Sequence, residues 1–256
     1  MNRYEKRRVL ITGAGSGIGR ATVHRVLAEG GTVVAADVDE AGLRETYDRA
    51  VADGTAGRLT TSVLDVSDER SVTEGVAAAV ARLGGLDVLV NAAGILRCEH
   101  THRTGLDLFN RVIAVNLTGT FLMTREALPA LLAGDRPVVV NFSSTSANFA
   151  HPYMAAYAAS KGGIQAMTHT IAAEYGGRGL RAVAVAPGSI ASGMTTGAGP
   201  GLPEDADMRL FAKLVPAIGE GFAAPETVAG VVAMLGSEDG AFITGTEIRI
   251  DGGTHY

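Results

Sequence analysis

The chain has 256 residues, of which 46% are hydrophobic and 19% charged, so it can bury a sizeable core. Its formal net charge of -5 argues against a nucleic-acid partner, because proteins that bind nucleic acid usually present a basic face. The lone cysteine, Cys98, cannot form an internal disulfide and favours a reducing compartment. Residues 1–8 are polar, unlike a signal peptide, and no apolar run reaches membrane-spanning length. We therefore expect a cytoplasmic protein.

Short apolar segments alternate along the chain with longer segments of helical periodicity. The short segments are apolar throughout, which is typical of parallel strands that helices cover on both faces. We predict an α/β fold with one doubly wound, seven-stranded parallel sheet flanked by helices, in a single domain over residues 1–256. The predicted strands are 8–12, 32–36, 57–63, 87–90, 138–142, 181–185 and 246–250, and the predicted helices are 17–29, 40–52, 68–83, 106–132, 153–175, 203–215 and 225–235.

A glycine-rich turn joins the first predicted strand to the first predicted helix. Residues 12–19 read T-G-A-G-S-G-I-G. Glycines there let backbone N–H groups approach a pyrophosphate, and the positive end of the following helix points at the same phosphates. Many loops are rich in glycine for conformational reasons alone. The strand before this turn and the helix after it favour a nucleotide site.

The spacing of Gly13, Gly17 and Gly19 is the T-G-x-x-x-G-x-G form, which resembles the short-chain dehydrogenases/reductases. Further motifs extend that resemblance over essentially the whole chain, from Thr12 to Gly253. It implies a Rossmann-like fold and hydride transfer between a nicotinamide cofactor and a small-molecule secondary alcohol or ketone. It also implies a homotetramer, and a run of small residues within 155–166 would permit close helix packing.

Asp37 lies at the end of the second predicted strand and bears on the choice of cofactor. A carboxylate there can accept hydrogen bonds from the adenosine ribose and would repel a 2′-phosphate. The positions where NADP-dependent relatives often carry a basic residue hold Ser16 and Val38. Both observations favour NAD over NADP. The alternative is that Asp37 only caps the turn before the next helix.

Three further motifs resemble cofactor-contacting elements of the family. Asp65-Val66 resembles the adenine-contacting pair, although Asp65 would serve equally as a helix N-cap. Residues 91–94 resemble the N-A-G element, and residues 187–192 resemble P-G-x-I-x-T with serine in place of threonine. The resemblance thus implies cofactor contacts from Gly13, Ser16, Gly17, Ile18, Gly19, Asp37, Asp65, Val66, Asn91, Ala93, Gly94, Tyr157, Lys161, Pro187, Gly188, Ile190 and Ser192.

Tyr157 and Lys161 are neighbours on one face of a predicted helix. A phenol ionises near pH 10, and a nearby ammonium favours the phenolate, so we expect Lys161 to lower the pKa of Tyr157 toward neutral pH. Tyrosine and lysine fall at this spacing by chance in many helices. Here Ser144 precedes Tyr157 by the family's interval, at the strand edge where α/β sites lie.

The resemblance assigns a role to each member of this group. Tyr157 exchanges a proton with the substrate oxygen, Ser144 orients that oxygen, and Lys161 binds the nicotinamide ribose. Asn116, in the interior of a predicted helix, would hold a water that connects the lysine to solvent. The chemistry requires no metal. The number of residues between Tyr157 and Lys161 is smaller than the number between the corresponding tyrosine and lysine of the divergent enoyl reductases.

Residues 192–222 are rich in glycine and proline and are predicted to form a substrate-binding lid. Substrate contacts are expected from Ser144, Ser146, Tyr157 and Met194. Aromatic and other large apolar side chains suggest a mainly apolar cavity, and hence a hydrophobic or cyclic secondary alcohol. These side chains are Phe149, Tyr153, Met194, Leu210, Phe211 and Phe222, with possible polar contacts from Arg97, Asn148 and His151.

Two other functions remain open. One is an NADPH-dependent 3-oxoacyl-thioester reductase acting on an acyl carrier protein, which Asp37 disfavours and which would need a basic surface for its acidic partner. The other is a non-catalytic NAD-sensing protein on the same fold. Such a protein would have no need of Asn116, Ser144, Tyr157 and Lys161 together.

Overall fold

A computed structural model describes residues 2–195, 201–219 and 221–255. Within them, strands pair in parallel in the order β3-β2-β1-β4-β5-β6-β7, with the reversal of strand order between β1 and β4. This confirms the doubly wound, seven-stranded sheet. The strands are β1 (Arg8–Thr12), β2 (Thr32–Asp37), β3 (Leu59–Val63), β4 (Val88–Asn91), β5 (Val138–Phe142), β6 (Arg181–Pro187) and β7 (Thr246–Ile250). The helices are α1 (Gly17–Ala28), α2 (Glu40–Ala52), α3 (Glu69–Leu83), α4 (Leu106–Ile113), α5 (Gly119–Leu132), α6 (Ala155–Tyr175) and α7 (Pro225–Leu235).

Each face of the sheet carries its own apolar core. Along β1, Val9 and Ile11 pack into the core that contains residues of α1, α2 and α7, whereas Leu10 packs into the core that contains residues of α3, α5 and α6. Successive side chains of a strand point to opposite faces, so a strand covered on both sides must be apolar at every position. Of the described helices, none is long and apolar enough to cross a membrane.

Two predicted helices differ from the structure. The predicted helix 106–132 is divided into α4 and α5 by a π-helical segment, Ala114–Thr118, which contains Asn116. The predicted helix 203–215 is reduced to a short 3₁₀ turn, Met208–Phe211, because its apolar side chains face solvent or the cleft instead of a core. Residues 196–200 and 220 of the predicted lid lie outside the described residues.

The buried carboxylate of Asp87 connects the start of β1 to the loop before β5. It accepts hydrogen bonds from the amide, Nε and Nη2 of Arg8 at 2.9, 3.0 and 2.7 Å and from the amide of Asp135 at 2.9 Å. Burial by itself would raise the pKa of Asp87, but the hydrogen bonds from Arg8 and Asp135 outweigh it and leave the pKa lowered. The charged carboxylate therefore stabilises the junction between β1 and β4.

We expect Asp87→Asn to lower the free energy of unfolding by about 3 kcal/mol at pH 7, because Arg8 loses its buried partner. A lowered pKa in the folded state means that wild type keeps this stabilisation above the unfolded pKa, near 4, and loses it as the pH falls further. The difference between the proteins in urea denaturation should therefore shrink in acid. Asp135→Asn, at an exposed carboxylate, is the control, and equal stability of all three proteins at pH 7 would contradict the assignment.

Candidate active site

A cleft of about 730 Å³ runs along the carboxyl ends of the strands. It crosses the point between β1 and β4 where the strand order reverses, which is where doubly wound sheets bind their ligands. The glycine turn after β1 and Asp37 line one end of the cleft. Ser144, Tyr157 and Lys161 line the other.

The glycine turn is built by close backbone contacts. A Cβ on Gly13, whose φ is +67°, would lie 2.7 Å from the backbone of Ala92, and a Cβ on Gly19 would lie 2.0 Å from the Gly13 oxygen. Ser16 is the N-cap of α1, but its side chain makes no capping hydrogen bond, and Gly17, Ile18 and Gly19 line the cleft. Gly13, Gly17 and Gly19 thus leave backbone N–H groups accessible at the start of α1, which suits the phosphates of a dinucleotide.

Asp37 is held on the wall of the cleft by backbone amides. Its Oδ2 accepts from the amide of Gly15 at 2.8 Å, and its Oδ1 accepts from the amide of Asp39 at 2.9 Å. Asp39 is the N-cap of α2, since its side chain accepts from the amide of Ala41 at 3.1 Å. Asp37 therefore supports the turn between β2 and α2 without being the helix cap, and its carboxylate lies beside the glycine turn.

Asp65 and Val66 also line the cleft. The expectation that Asp65 doubles as an N-cap is wrong, because Asp68 caps α3 by accepting from the amide of Ser71 at 2.6 Å. Asp65 instead accepts from the hydroxyl and amide of Ser67, and these hydrogen bonds lower the pKa of its carboxyl. Arg111, which no sequence motif indicated, lines the same part of the cleft and donates to the Ser67 hydroxyl at 3.0 Å.

The three proposed reacting side chains meet at one wall. Ser144 follows β5 and lines the same wall of the cleft as Tyr157, and its Oγ accepts from the Ser146 amide at 3.2 Å. Lys161 lies one helical turn after Tyr157 in α6, with Nζ 5.5 Å from the centre of the phenol ring. The same Nζ donates to the carbonyl of Phe142 at 2.7 Å, at the end of β5.

Burial, not charge, dominates the pKa values of this group. Burial raises the pKa of Tyr157 to about 12, against an opposing effect of the Ser144 side chain. Burial also lowers the pKa of Lys161 to about 8. The expectation that Lys161 lowers the pKa of Tyr157 is therefore wrong for the protein alone, because its ammonium is directed at the Phe142 carbonyl and both charged forms are desolvated. Near pH 7 the phenol holds its proton.

Asn116 is fully buried behind this wall and does not line the cleft. Its Oδ1 accepts from the amide of Ile95 at 2.8 Å, and its Nδ2 donates to the Ile95 carbonyl and to the Ser160 hydroxyl, both at 3.0 Å. Ser160 in turn donates to the carbonyl of Tyr157 at 2.7 Å. The π-helical segment thereby connects the loop after β4 to the helix that carries Tyr157.

Two other predicted contact residues support the cleft from behind. Asn91 is buried and donates to Asn141 at 2.9 Å and to Thr124 at 3.1 Å. Ser146 is buried beside Ser144 and does not line the cleft either. The remaining predicted cofactor and substrate residues do line it, namely Gly13, Ser16, Gly17, Ile18, Gly19, Asp37, Asp65, Val66, Ala93, Gly94, Ser144, Tyr157, Lys161, Pro187, Gly188, Ile190, Ser192 and Met194.

The far end of the cleft is mainly apolar. Of the side chains expected there, Met194, Phe211, Phe222, Arg97 and His151 line it, and burial lowers the pKa of His151 to about 4, so its imidazole is neutral. The others lie elsewhere: Phe149 stacks on His255, Asn148 donates to Glu247, and Tyr153 and Leu210 stand outside the lining. Leu202, Met208 and Leu214 of the predicted lid also line it, together with Met154 and Thr254, which no sequence motif indicated.

The fold and the cleft define a doubly wound dinucleotide-binding protein, and comparison with known proteins specifies the family. Residues 13–255 match the family model described as enoyl-(acyl carrier protein) reductase. The chain is 39% identical over 253 residues to 3-oxoacyl-(acyl-carrier-protein) reductase of Thermotoga maritima, with 98% of each chain covered. It is 38% identical over 262 residues to (3R)-3-hydroxyacyl-CoA dehydrogenase of Homo sapiens, covering 98% of this chain and 97% of the relative. It belongs to the short-chain dehydrogenase/reductase family of oxidoreductases.

Solved structures are similar over nearly the whole length. A short-chain dehydrogenase of Mycobacterium paratuberculosis bound to NAD superposes with a TM-score of 0.91 at 28% identity, with 98% of each chain covered. A short-chain dehydrogenase of Burkholderia cenocepacia in complex with NADP superposes with a TM-score of 0.87 at 29% identity, with 99% of each chain covered. Structures of this kind thus hold either nicotinamide nucleotide.

We expect Gly19→Ala to weaken binding of NADH by about tenfold or more, since the added Cβ would displace the turn around Gly13. Gly177→Ala is the matched control, because a Cβ at Gly177 meets no atom within 4 Å. Titration of NADH fluorescence measures both. Equal dissociation constants for the two variants would show that the glycine turn does not hold the dinucleotide.

Proposed function

We propose that this chain is an NAD-dependent dehydrogenase/reductase that interconverts a secondary alcohol and a ketone. The observation that carries the proposal is that Ser144 and Tyr157 line one wall of a cleft whose other end is a glycine cradle. Lys161 lies one turn from the phenol in α6. A hydroxyl pair of this kind can bind a carbonyl oxygen and exchange a proton with it.

The proposed mechanism assigns one task to each side chain. A bound nicotinamide supplies or accepts the hydride. Tyr157 holds its proton at neutral pH, because its pKa is about 12, and donates that proton to the carbonyl oxygen during reduction. Ser144 holds the same oxygen against the phenol. Lys161, with a pKa of about 8, remains largely protonated near pH 7 and would contact the nicotinamide ribose.

Asp37 supports NAD in preference to NADP. Two backbone amides hold its carboxylate beside the glycine turn, where a 2′-phosphate would meet a negative charge. Its neighbour Val38 is exposed and apolar, and Ser16, which also lines the cleft, is uncharged. The related structures with NAD and with NADP fit a nicotinamide nucleotide here, and the carboxylate favours the form without the extra phosphate.

The apolar end of the cleft supports a hydrophobic or cyclic secondary alcohol as substrate. Its wall includes Met194, Met208, Phe211 and Phe222. A second candidate is reduction of a 3-oxoacyl thioester, which is favoured by the names of the two relatives and by Arg97, an exposed cation that lines the cleft. Enoyl reduction, which the description of the family model names, is disfavoured by the short Tyr157-to-Lys161 interval.

We further propose a cytoplasmic homotetramer. Ala155, Ala159 and Ala166 leave an exposed strip of small side chains on α6, which would admit close packing of a second copy. Phe242 is fully exposed just before the edge strand β7, where a subunit contact would cover it.

We expect Tyr157→Phe to lower kcat/KM by about 10²- to 10⁴-fold while NADH still binds, because the proton donor is removed and the ring is kept. Tyr47→Phe, on the exposed face of α2, is the control and should retain wild-type turnover. Reduced-nicotinamide absorbance over a panel of secondary alcohols and ketones gives the rates. Undiminished turnover in Tyr157→Phe would exclude the mechanism, and absence of turnover in wild type with tight NADH binding would favour a sensing protein.

We expect Asp37→Asn to shift the ratio of NADP- to NAD-dependent kcat/KM toward NADP by about tenfold or more, equivalent to about 1.4 kcal/mol. The amide keeps an acceptor for one of the two backbone N–H groups that Asp37 binds, and it removes the charge that repels a 2′-phosphate. The control is Asp48→Asn, which removes an exposed carboxylate on α2. A wild type that turns over only with NADP(H) would overturn the NAD assignment and favour the thioester reductase.

A further inference from the structure

Residues 201–219, here termed the covering segment, form much of the apolar side of the cleft. Leu202, Met208, Phe211 and Leu214 of this segment line it. The regular structure of the segment is one 3₁₀ turn, Met208–Phe211, so it lacks the hydrogen-bonded framework of a long helix or strand. Its position over the cleft therefore depends on the contacts that connect it to the rest of the fold.

Asp205 provides the first of these contacts. Arg103 donates to both carboxylate oxygens, from Nη1 at 3.1 Å and from Nη2 at 2.9 Å, and His100 Nε2 lies 2.9 Å from Oδ1. The hydrogen bonds from Arg103 and His100 lower the pKa of Asp205 to about 2, so its charge persists at neutral pH. A two-pronged arginine contact fixes orientation as well as distance.

Tyr153 provides the second contact and shares a neighbour with the first. Its hydroxyl accepts from the amide of Asp207 at 2.8 Å. Its ring meets His100 edge-on at 4.9 Å and stacks with Phe211 at 6.0 Å between ring centres. Its carbonyl accepts from the amide of Glu99 at 2.9 Å. The loop around residues 99–103, Tyr153 and the covering segment thus form one contact group beside the cleft.

A similar ion pair on the same segment makes no such connection. Arg209 donates from Nε and Nη2 to the two oxygens of Asp207 at 2.9 and 2.8 Å, but both residues belong to the covering segment. This pair cannot hold the segment to the loop. Comparing variants of the two pairs therefore distinguishes the loss of a cross-link, at Arg103–Asp205, from the loss of an ion pair that makes no cross-link, at Arg209–Asp207.

We propose that Asp205, held by Arg103 and His100, is a positioning residue that keeps the covering segment over the cleft and sets KM for substrates large enough to reach its apolar side chains. The effect on KM rests on the proposed function. The position of the covering segment rests on the contacts alone. The side chains of Arg103 and Asp205 are 51% and 54% exposed. Salt should therefore weaken the cross-link. Its loss should change the exchange rate of the segment's amides, and KM, roughly fivefold.

Hydrogen exchange of the whole protein tests the position of the segment without turnover. In Asp205→Asn we expect the amides of residues 201–214 to exchange roughly fivefold faster than in wild type. Arg209→Gln, which breaks the pair within the segment, should leave them unchanged. The charge reversal that combines Arg103→Asp with Asp205→Arg should restore part of the protection.

Kinetics test the effect on substrate. With NAD and cyclohexanol as the bulky probe, we expect Asp205→Asn to raise KM roughly fivefold with kcat nearly unchanged, while KM for 2-propanol stays at its wild-type value. KM for cyclohexanol should rise with salt in wild type and not in Asp205→Asn. A merely structural role would affect both alcohols alike.

The two measurements separate failure of this proposal from failure of the proposed function. Unchanged exchange of residues 201–214 in Asp205→Asn would overturn the positioning role, as would faster exchange with equal KM changes for both alcohols. A wild type that oxidises no secondary alcohol would count against the proposed function, and the exchange data would still decide whether Asp205 holds the segment.

Discussion

The site depends on a row of buried polar side chains where three neighbouring strands end. Backbone pairing aligns Thr12 of β1, Asn91 of β4 and Asn141 of β5. Asn91 donates to Asn141, which donates to Thr168 of α6, and Thr12 accepts from the Ala93 amide. The cleft begins directly beyond this row. These hydrogen bonds connect the sheet edge to the helix of Tyr157 and hold the two in one arrangement.

The two ends of the cleft are built on different physical principles. At the proposed cofactor end, glycines bring backbone against backbone, and a Cβ at Gly13 or Gly19 would collide with main-chain atoms. At the other end, side chains of the covering segment form the wall, and Asp205 holds that segment through an exposed ion pair. The cofactor end tolerates few substitutions, because the main-chain atoms around the glycines cannot move aside for a larger side chain. The other end can change with single side chains, so we infer that substrate preference resides there.

Desolvation explains why Tyr157 and Lys161 differ from the simple expectation of an attractive charge pair. Taking either charged form out of water is unfavourable, so burial moves the pKa of the phenol up and that of the ammonium down. The Phe142 carbonyl provides the ammonium with a partner other than the phenol. The protein alone therefore presents a proton donor, which suits reduction of a carbonyl group.

The sequence by itself predicted the doubly wound sheet and the glycine turn, because strand and helix periodicity are local. The meeting of Ser144, Tyr157 and Lys161 was implied by the resemblance to the family, and it agrees with the alignment of the carboxyl ends of parallel strands. Only the tertiary structure decided the features that depend on distant partners or on burial. Arg103 and Asp205 are 102 positions apart, and no local pattern pairs them. The shifted pKa of Tyr157 likewise arises from desolvation, which depends on the packed surroundings.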